Sequence, residues 1–257
     1  MYKTIFVEGN ENIKLLYLNR PEKLNALSDE MRLELEHFFQ TAAKSTEIRV
    51  VIVSGKGLAF SAGADLNMLK LRYEAFRQEG QQNDSYRLSL PIALMKFPKP
   101  IIAAINGAAV GFGATMPLNC DIRIASTRAK FSFAFARLGV TPEYCSSYFL
   151  PRLIGYGQAS ELFFTGKMIN AEEALRIGLI NRIVPPEELL SEAQTLAEQI
   201  ARMPLAAILA AKRLVRLASH SSLDQIFEYE TIEFRKNSHT PEHYDAVCRI
   251  IADLKNQ

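Results

Sequence analysis

The sequence predicts an α/β fold on three observations: short β-branched runs that stop at Gly or Asn turns, segments of helical period between those runs, and a final third that is helical throughout. A chain of 257 residues, 48% of them hydrophobic, is long enough to bury a full core as one α/β domain or two smaller ones.

Residues 4–8 and 13–18 flank the turn formers Gly9 and Asn10 and read as a pair of antiparallel strands. Ser28 is the expected N-cap of a helix with Asp29 and Glu30 in its first turn, and Met31, Leu35, Phe38, Phe39 and Ala42 recur on one face. Residues 49–54 form a buried strand ended by Gly55-Lys56-Gly57. The polar stretch 71–87 reads as a connection, either a loop beside a site or a solvated link. Residues 99–105 are another β-branched run, stopped at Asn106-Gly107, after which small residues from 108 to 114 open an apolar helix toward Cys120; residues 121–125 are again a strand. Beyond Pro142 the helical segments are 147–154, 158–164, 171–177, 186–202, 205–218, 223–236 and 241–254. In such a fold ligands gather at the carboxyl ends of the strands, where loops and helix N-termini converge.

Composition excludes several classes. Thirty basic against twenty-eight acidic residues leave a formal charge of +2, without the basic footprint of a nucleic-acid-binding domain, so an anionic ligand has to be met locally. Cys120, Cys145 and Cys248 are too scattered for a disulfide framework and suit a reducing compartment. The N-terminus lacks the pattern of a signal peptide and no run approaches the ~18 apolar residues of a membrane span, so a cytoplasmic protein without membrane association is expected. Gly111-Phe112-Gly113 lacks the third glycine of a dinucleotide fingerprint. His239 and His243 are separated by a helix start at Thr240-Pro241 and cannot share one face, so no metal is assigned. There is no Gly-x-Ser-x-Gly elbow, and none of the four histidines has an evident nucleophile partner.

Two segments place backbone N–H groups at a strand-to-helix junction, Phe60-Ser61-Ala62-Gly63-Ala64-Asp65-Leu66 and Asn106 through Ala114. Each alone reads first as a packing turn. Two such amides converging on one point make an oxyanion hole, worth about 2.7–4 kcal/mol per donor.

Taken with Asn19-Arg20-Pro21-Glu22-Lys23-Leu24-Asn25-Ala26-Leu27, with the 98–107 segment, with Cys120-Asp121-Ile122, and with Phe164-Thr165-Gly166-Lys167 and Ala171-Glu172-Glu173-Ala174 further on, these motifs resemble the crotonase (enoyl-CoA hydratase/isomerase) family across nearly the whole chain. The resemblance implies a spiral of ββα repeats over residues 1–200 carrying an acyl-CoA site, and a helical region over 201–257 used in oligomerisation as a homotrimer or hexamer. It implies an acyl-CoA thioester as substrate, with coenzyme A part of that substrate and no separate cofactor. By position, the oxyanion donors fall on the N–H groups of Ala64 and Phe112, beside Gly111. The backbone of Ala62, Gly63, Asp65 and Leu66 corresponds to the adenine site, and Lys23, Leu24 and Ala26 to the CoA entrance.

The resemblance also narrows the reaction. Hydratases of the family use two glutamates to activate water; Thr115 and Phe135 stand at those positions here. Pro142-Glu143-Tyr144-Cys145-Ser146-Ser147-Tyr148 is instead similar to the segment that carries the catalytic base in peroxisomal-type Δ3,Δ2-enoyl-CoA isomerases, with Tyr144 in place of their glycine. This points to Glu143 as the acid/base, with Phe112, Phe135, Tyr144 and Tyr148 walling the acyl pocket. Apart from the resemblance, Glu143 reads as an acidic residue in the first turn of a helix after Pro142. Two further readings are an enoyl-CoA hydratase and a non-catalytic acyl-CoA-binding scaffold. The scaffold fits less well with a chain expected to open on the fold's first strand and to carry no appended domain.

Overall fold

The computed structural model describes residues 2–79 and 89–255. Strands β1 (Ile5–Gly9) and β2 (Ile13–Leu18) form the expected antiparallel pair, Ile5 opposite Leu18. Helix α1 (Asp29–Lys44) begins at Ser28, whose hydroxyl accepts the Met31 N–H at 3.1 Å, and it buries the five apolar residues on its predicted face. β3 (Val50–Gly55), β4 (Ala59–Ser61) and α2 (Leu66–Glu79) make one ββα unit. After α3 (Ser89–Lys96), β5 (Ile101–Ile105), β6 (Ala108–Val110) and α4 (Phe112–Thr115) make the next. β7 (Ile122–Ser126) and β8 (Lys130–Ser132) repeat the strand pair, followed by α5 (Ser146–Ile154) and α6 (Tyr156–Thr165). Then come β9 (Ile169–Asn170), α7 (Ala171–Arg176), β10 (Arg182–Val184), α8 (Leu189–Ala201), α9 (Leu205–Ala218), α10 (Leu223–Ser238) and α11 (Pro241–Lys255).

Among the described residues the first strand of each unit enters a six-stranded sheet ordered β1-β2-β3-β5-β7-β10, parallel except at β1. The second strand enters a smaller sheet ordered β4-β6-β8-β9, parallel except at β9. Each repeat thus steps from one sheet to the other, which is the spiral of ββα units that the family resemblance implied. Along the large sheet Val51, Val53, Ile101, Ala103 and Ile105 face the main core with Phe39, Phe60, Phe97 and Phe112. Val50, Ile52, Ile102, Ala104 and Ile124 face the other way, onto Leu189, Ala193 and Ala197 of α8. Burial on both faces is why these strands read as continuous apolar runs rather than alternating ones.

Three local expectations change. Residues 108–110 are a strand of the smaller sheet, not the start of a helix, because Ala108 and Val110 pair with Lys130 and Ser132; the helical segment after Gly111 is short and runs into a 3₁₀ turn at Met116–Asn119 that contains Pro117. The stretch expected as a connection from residue 71 is helical as far as Glu79, continuing from Leu66, and the rest of it, 80–87, lies outside the described residues. The strands of the smaller sheet, implied by the ββα repeat, were not located by periodicity. Among the described residues no helix is long and apolar enough to cross a membrane.

Helix α9 docks onto the core through cations. Lys212 Nζ donates to the Lys99 carbonyl at 2.5 Å and to Asp121 Oδ2 at 2.7 Å, and Arg216 bonds the carbonyls of Met95, Phe97 and Asn119. No residue of α10 or α11 is buried.

Candidate active site

The site forms where β4 and β6 end. Asn25, fully buried, donates from its side chain to the carbonyls of Lys56 (2.9 Å) and Ala59 (2.8 Å), and its own carbonyl accepts the Ser61 hydroxyl at 2.8 Å. This ties the loop after β2 to the start of β4 and to its end. Leu24 and Asn25 both adopt left-handed conformations to make the connection. The loop then lies alongside residues 62–65: Ala62 N–H donates to the Leu24 carbonyl, Leu27 N–H to Gly63, and Asp65 N–H to Leu27, at 2.9, 2.7 and 3.1 Å. In that parallel pairing the Ala64 N–H points to the opposite side, and among the described residues it has no acceptor in the loop hydrogen bonds.

The second amide arises from helix geometry. Phe112 is the first residue of α4, so its N–H has no acceptor within the helix, whereas the Gly111 N–H donates to Ser132 and the Ala114 and Thr115 N–H groups to Gly111. The residues just before the two donors touch. A Cβ on Gly63, which sits at φ +99, would lie 2.9 Å from the Val110 carbonyl oxygen, and a Cβ on Gly111 would lie 3.7 Å from Gly63 Cα. Only glycine at 63 accepts both the conformation and the approach. Ala64 and Phe112, singled out from sequence, therefore stand on adjoining backbone.

The sequence-predicted CoA residues come together as two strips of backbone, but with their polar groups already committed in part. Leu24 and Leu66 are exposed at the rim, Lys23 is exposed beside them, and Ala26 is buried beneath. The Asp65 side chain serves α2: it accepts from Asn67 N–H at 3.2 Å and pairs with Arg20 at 3.1 Å. Burial opposes its ionisation, but the Arg20 guanidinium and the Met68 and Asn67 amides outweigh burial and hold the carboxyl below its usual range. Asn25 and Arg20 were not among the sequence-predicted site residues. Both lie in the 19–27 segment that carries the family resemblance, but nothing in its mostly polar composition separates them from their neighbours.

Glu143 is set by a turn, not by a helix. Helix α5 starts at Ser146, with Cys145 at its N-cap, so Glu143 precedes the first turn in which the sequence places it, and its carbonyl accepts the Ser146 N–H at 2.9 Å. Tyr144 and Cys145 are consecutive left-handed residues, φ 53 and 55. Burial pushes the Glu143 carboxyl up to about 7. The Tyr144 ring meets the Phe112 ring edge to face, centroids 5.1 Å apart, and Phe135 belongs to the same buried cluster. The Glu143 turn and the start of α4 are thus in contact. Tyr148 is not brought to them: its ring lies on Phe149 and on the Arg152 guanidinium, and its hydroxyl bonds Ser219 at 2.7 Å. Thr115 is buried, its hydroxyl 3.4 Å from the Phe112 carbonyl, and its partner position is the Phe135 ring. Among the described residues no cluster of three or more His, Cys, Asp or Glu is arranged to hold a metal.

Two amides on adjoining backbone, with a carboxyl that burial raises to about 7 in the turn packed on Phe112, are the components of an acid/base site for a substrate with a carbonyl oxygen to polarise. The family model for enoyl-CoA hydratase/isomerase matches residues 8–247. A crotonyl-CoA hydratase of Syntrophomonas wolfei is 35% identical over 238 residues, covering 91% of this chain and 89% of that one. The 1,2-epoxyphenylacetyl-CoA isomerase of Escherichia coli is 32% identical over 258 residues, 100% of this chain and 98% of the relative. The crystal structure of an enoyl-CoA hydratase from Bacillus anthracis superposes with a TM-score of 0.88 at 30% identity, over 98% of this chain and 97% of that one. The chain belongs to the enoyl-CoA hydratase/isomerase family, the crotonases, and is an acyl-CoA enzyme of that family.

Proposed function

We propose that the protein is a Δ3,Δ2-enoyl-CoA isomerase of fatty-acid degradation with Glu143 as its only acid/base. The observation that carries this reading is a carboxyl titrating at about 7 in the turn beside the oxyanion helix, while the two positions that hold and ionise water in hydratases are Thr115 and Phe135. A hydroxyl already near a helix carbonyl and a phenyl ring cannot supply a general acid and a general base.

The thioester oxygen of a 3-enoyl-CoA accepts from the Ala64 and Phe112 N–H groups, which lowers the energy of the enolate that forms on proton loss. The Glu143 carboxylate takes a proton from C2, and the C–H electron pair forms a C1–C2 double bond as charge moves onto the thioester oxygen, giving a dienolate that keeps its C3–C4 double bond. The same carboxyl, now protonated, returns its proton to C4, leaving the double bond between C2 and C3 and the carboxylate restored. One group suffices because C2 and C4 lie on one side of the allylic system. The apolar ring wall of Phe112, Tyr144 and Phe135 keeps water from trapping the product. At the other end, Lys23, Leu24, Ala26 and the 62–66 backbone receive the nucleotide.

A hydratase is the second reading, favoured by the activities for which relatives such as that of S. wolfei are named. Parallel assays decide between them. The expected result is that purified protein isomerises a 3-enoyl-CoA far faster than it hydrates trans-2-enoyl-CoA. Hydration at a comparable or higher rate sinks the isomerase reading, and no turnover of either with retained acyl-CoA binding leaves a scaffold.

A further inference from the structure

Asn119 is an amide in an apolar place. It closes the 3₁₀ turn at Met116–Asn119, is 3% exposed, and its neighbours Met116, Leu118 and Cys120 are all buried apolar residues. Its Nδ2 donates to two carbonyls at once, Tyr144 at 3.0 Å and Thr115 at 3.3 Å. Both partners are acceptors, so the NH₂ end of the amide must face them. Its Oδ1 is buried and has no partner among the described residues. A side chain kept for packing alone is better served by an apolar residue of the same size, since an orphaned buried acceptor is destabilising.

The two carbonyls belong to the two halves of the site. Thr115 ends the four-residue helix whose first residue is Phe112, and Tyr144 follows Glu143 directly. The Tyr144 carbonyl leaves a left-handed residue, outside any regular ladder, and Asn119 supplies it a donor. Asn119 is itself held from behind: its carbonyl accepts from Arg216 Nη2 of α9 at 3.3 Å. On the reading that Glu143 is the base, we propose that Asn119 is a positioning residue, a buried clamp that sets the distance between the Phe112 oxyanion donor and the Glu143 carboxyl.

Steady-state isomerisation of a short 3-enoyl-CoA by Asn119→Leu and Asn119→Ser tests this, with Glu143→Gln alongside. The first variant keeps the branching at Cγ and removes both donors; the second is small enough to fold where the bulkier Leu at this position does not. Loss of the clamp is expected to lower kcat by about 10–10²-fold, the scale of a 1 Å misplacement, with KM changed less than about threefold because the nucleotide contacts are untouched. The acidic limb of the pH–rate profile is expected to move to lower pH as the freed turn lets water reach Glu143. A lower melting temperature with kcat and the pH limb unchanged in either folded variant overturns the proposal and leaves Asn119 a packing residue. If Glu143→Gln is inactive while the Asn119 variants match wild type, the base assignment stands and only the clamp falls. If Glu143→Gln retains wild-type turnover, the base assignment fails and the clamp fails with it.

Discussion

Burial gives Glu143 a carboxyl that is neutral at acid pH and charged just above neutrality. On the proposed isomerase reading, in which one group serves both proton transfers, Glu143→Gln is expected to abolish isomerisation, by more than the ~10²–10⁴-fold typical of one general acid/base step. Acyl-CoA binding, measured by calorimetry with a saturated acyl-CoA, is expected to stay within a few-fold of wild type. Only the ionised form accepts the C2 proton, so kcat/KM should rise with pH through about 7, the value to which burial raises the carboxyl. Stability should move the opposite way. With the folded value above that of the unfolded chain, the unfolded state releases its proton first, and the contribution of Glu143 is lost as pH rises through about 7. Each unit of that rise is worth about 1.36 kcal/mol, so Glu143→Gln should melt higher than wild type at pH 8, with the advantage vanishing toward pH 4.5. The position of this residue was legible through family resemblance. Its titration was not, because desolvation comes from residues distant along the chain.

At the scale of elements, the site depends on how closely the start of α4 approaches the end of β4. A Cβ on Gly113 would sit 2.2 Å from the Ser61 carbonyl oxygen and 2.9 Å from Ser61 Cβ. The obstacle is backbone, which cannot swing aside, so Gly113→Ala has to push the two segments apart. It is expected to cost about 1–3 kcal/mol in chemical denaturation, as overpacking does, and to lower kcat/KM by about 10²-fold as the Phe112 N–H leaves its position. Wild-type kcat/KM in a destabilised Gly113→Ala enzyme would show that the oxyanion donor lies elsewhere. Helices α1 and α8 and the large-sheet strands β1, β2, β3, β5 and β7 were readable from periodicity because each buries a continuous face or both faces, whereas α2 was read in part as a connection. Strands β4, β6 and β8 were not. Three residues each, and mostly small, they are shorter than any alternation can reveal, and they exist because the preceding strand delivers them to a neighbour. The same holds for the turn at Tyr144 and Cys145: no local preference favours two left-handed non-glycine residues, so the surrounding packing imposes them.

For the whole molecule, the C-terminal helices present a surface that a single chain leaves open. Leu223, Phe227 and Phe234 of α10 and Tyr244, Ile250 and Leu254 of α11 are all well exposed, far more apolar area than a soluble surface usually keeps uncovered. Sedimentation at micromolar concentration is expected to give a trimer or a multiple of it. A monomer alone would count against that arrangement.

By itself the sequence determined most of the helices and the long strands of the large sheet, a nearly balanced charge, and the positions of Ala64, Phe112 and Glu143 within a recognisable set of motifs. These follow from local spacing and residue type, which act over a few neighbours. Tertiary structure alone decided that Gly63 and Gly111 touch, so that the Ala64 and Phe112 amides stand on adjoining backbone, and that burial pushes the Glu143 carboxyl up to about 7. It also sent Tyr148 to the end of α9 rather than into the ring wall. Approach and desolvation are sums over residues tens of positions apart, and only the folded chain brings those residues within reach of one another.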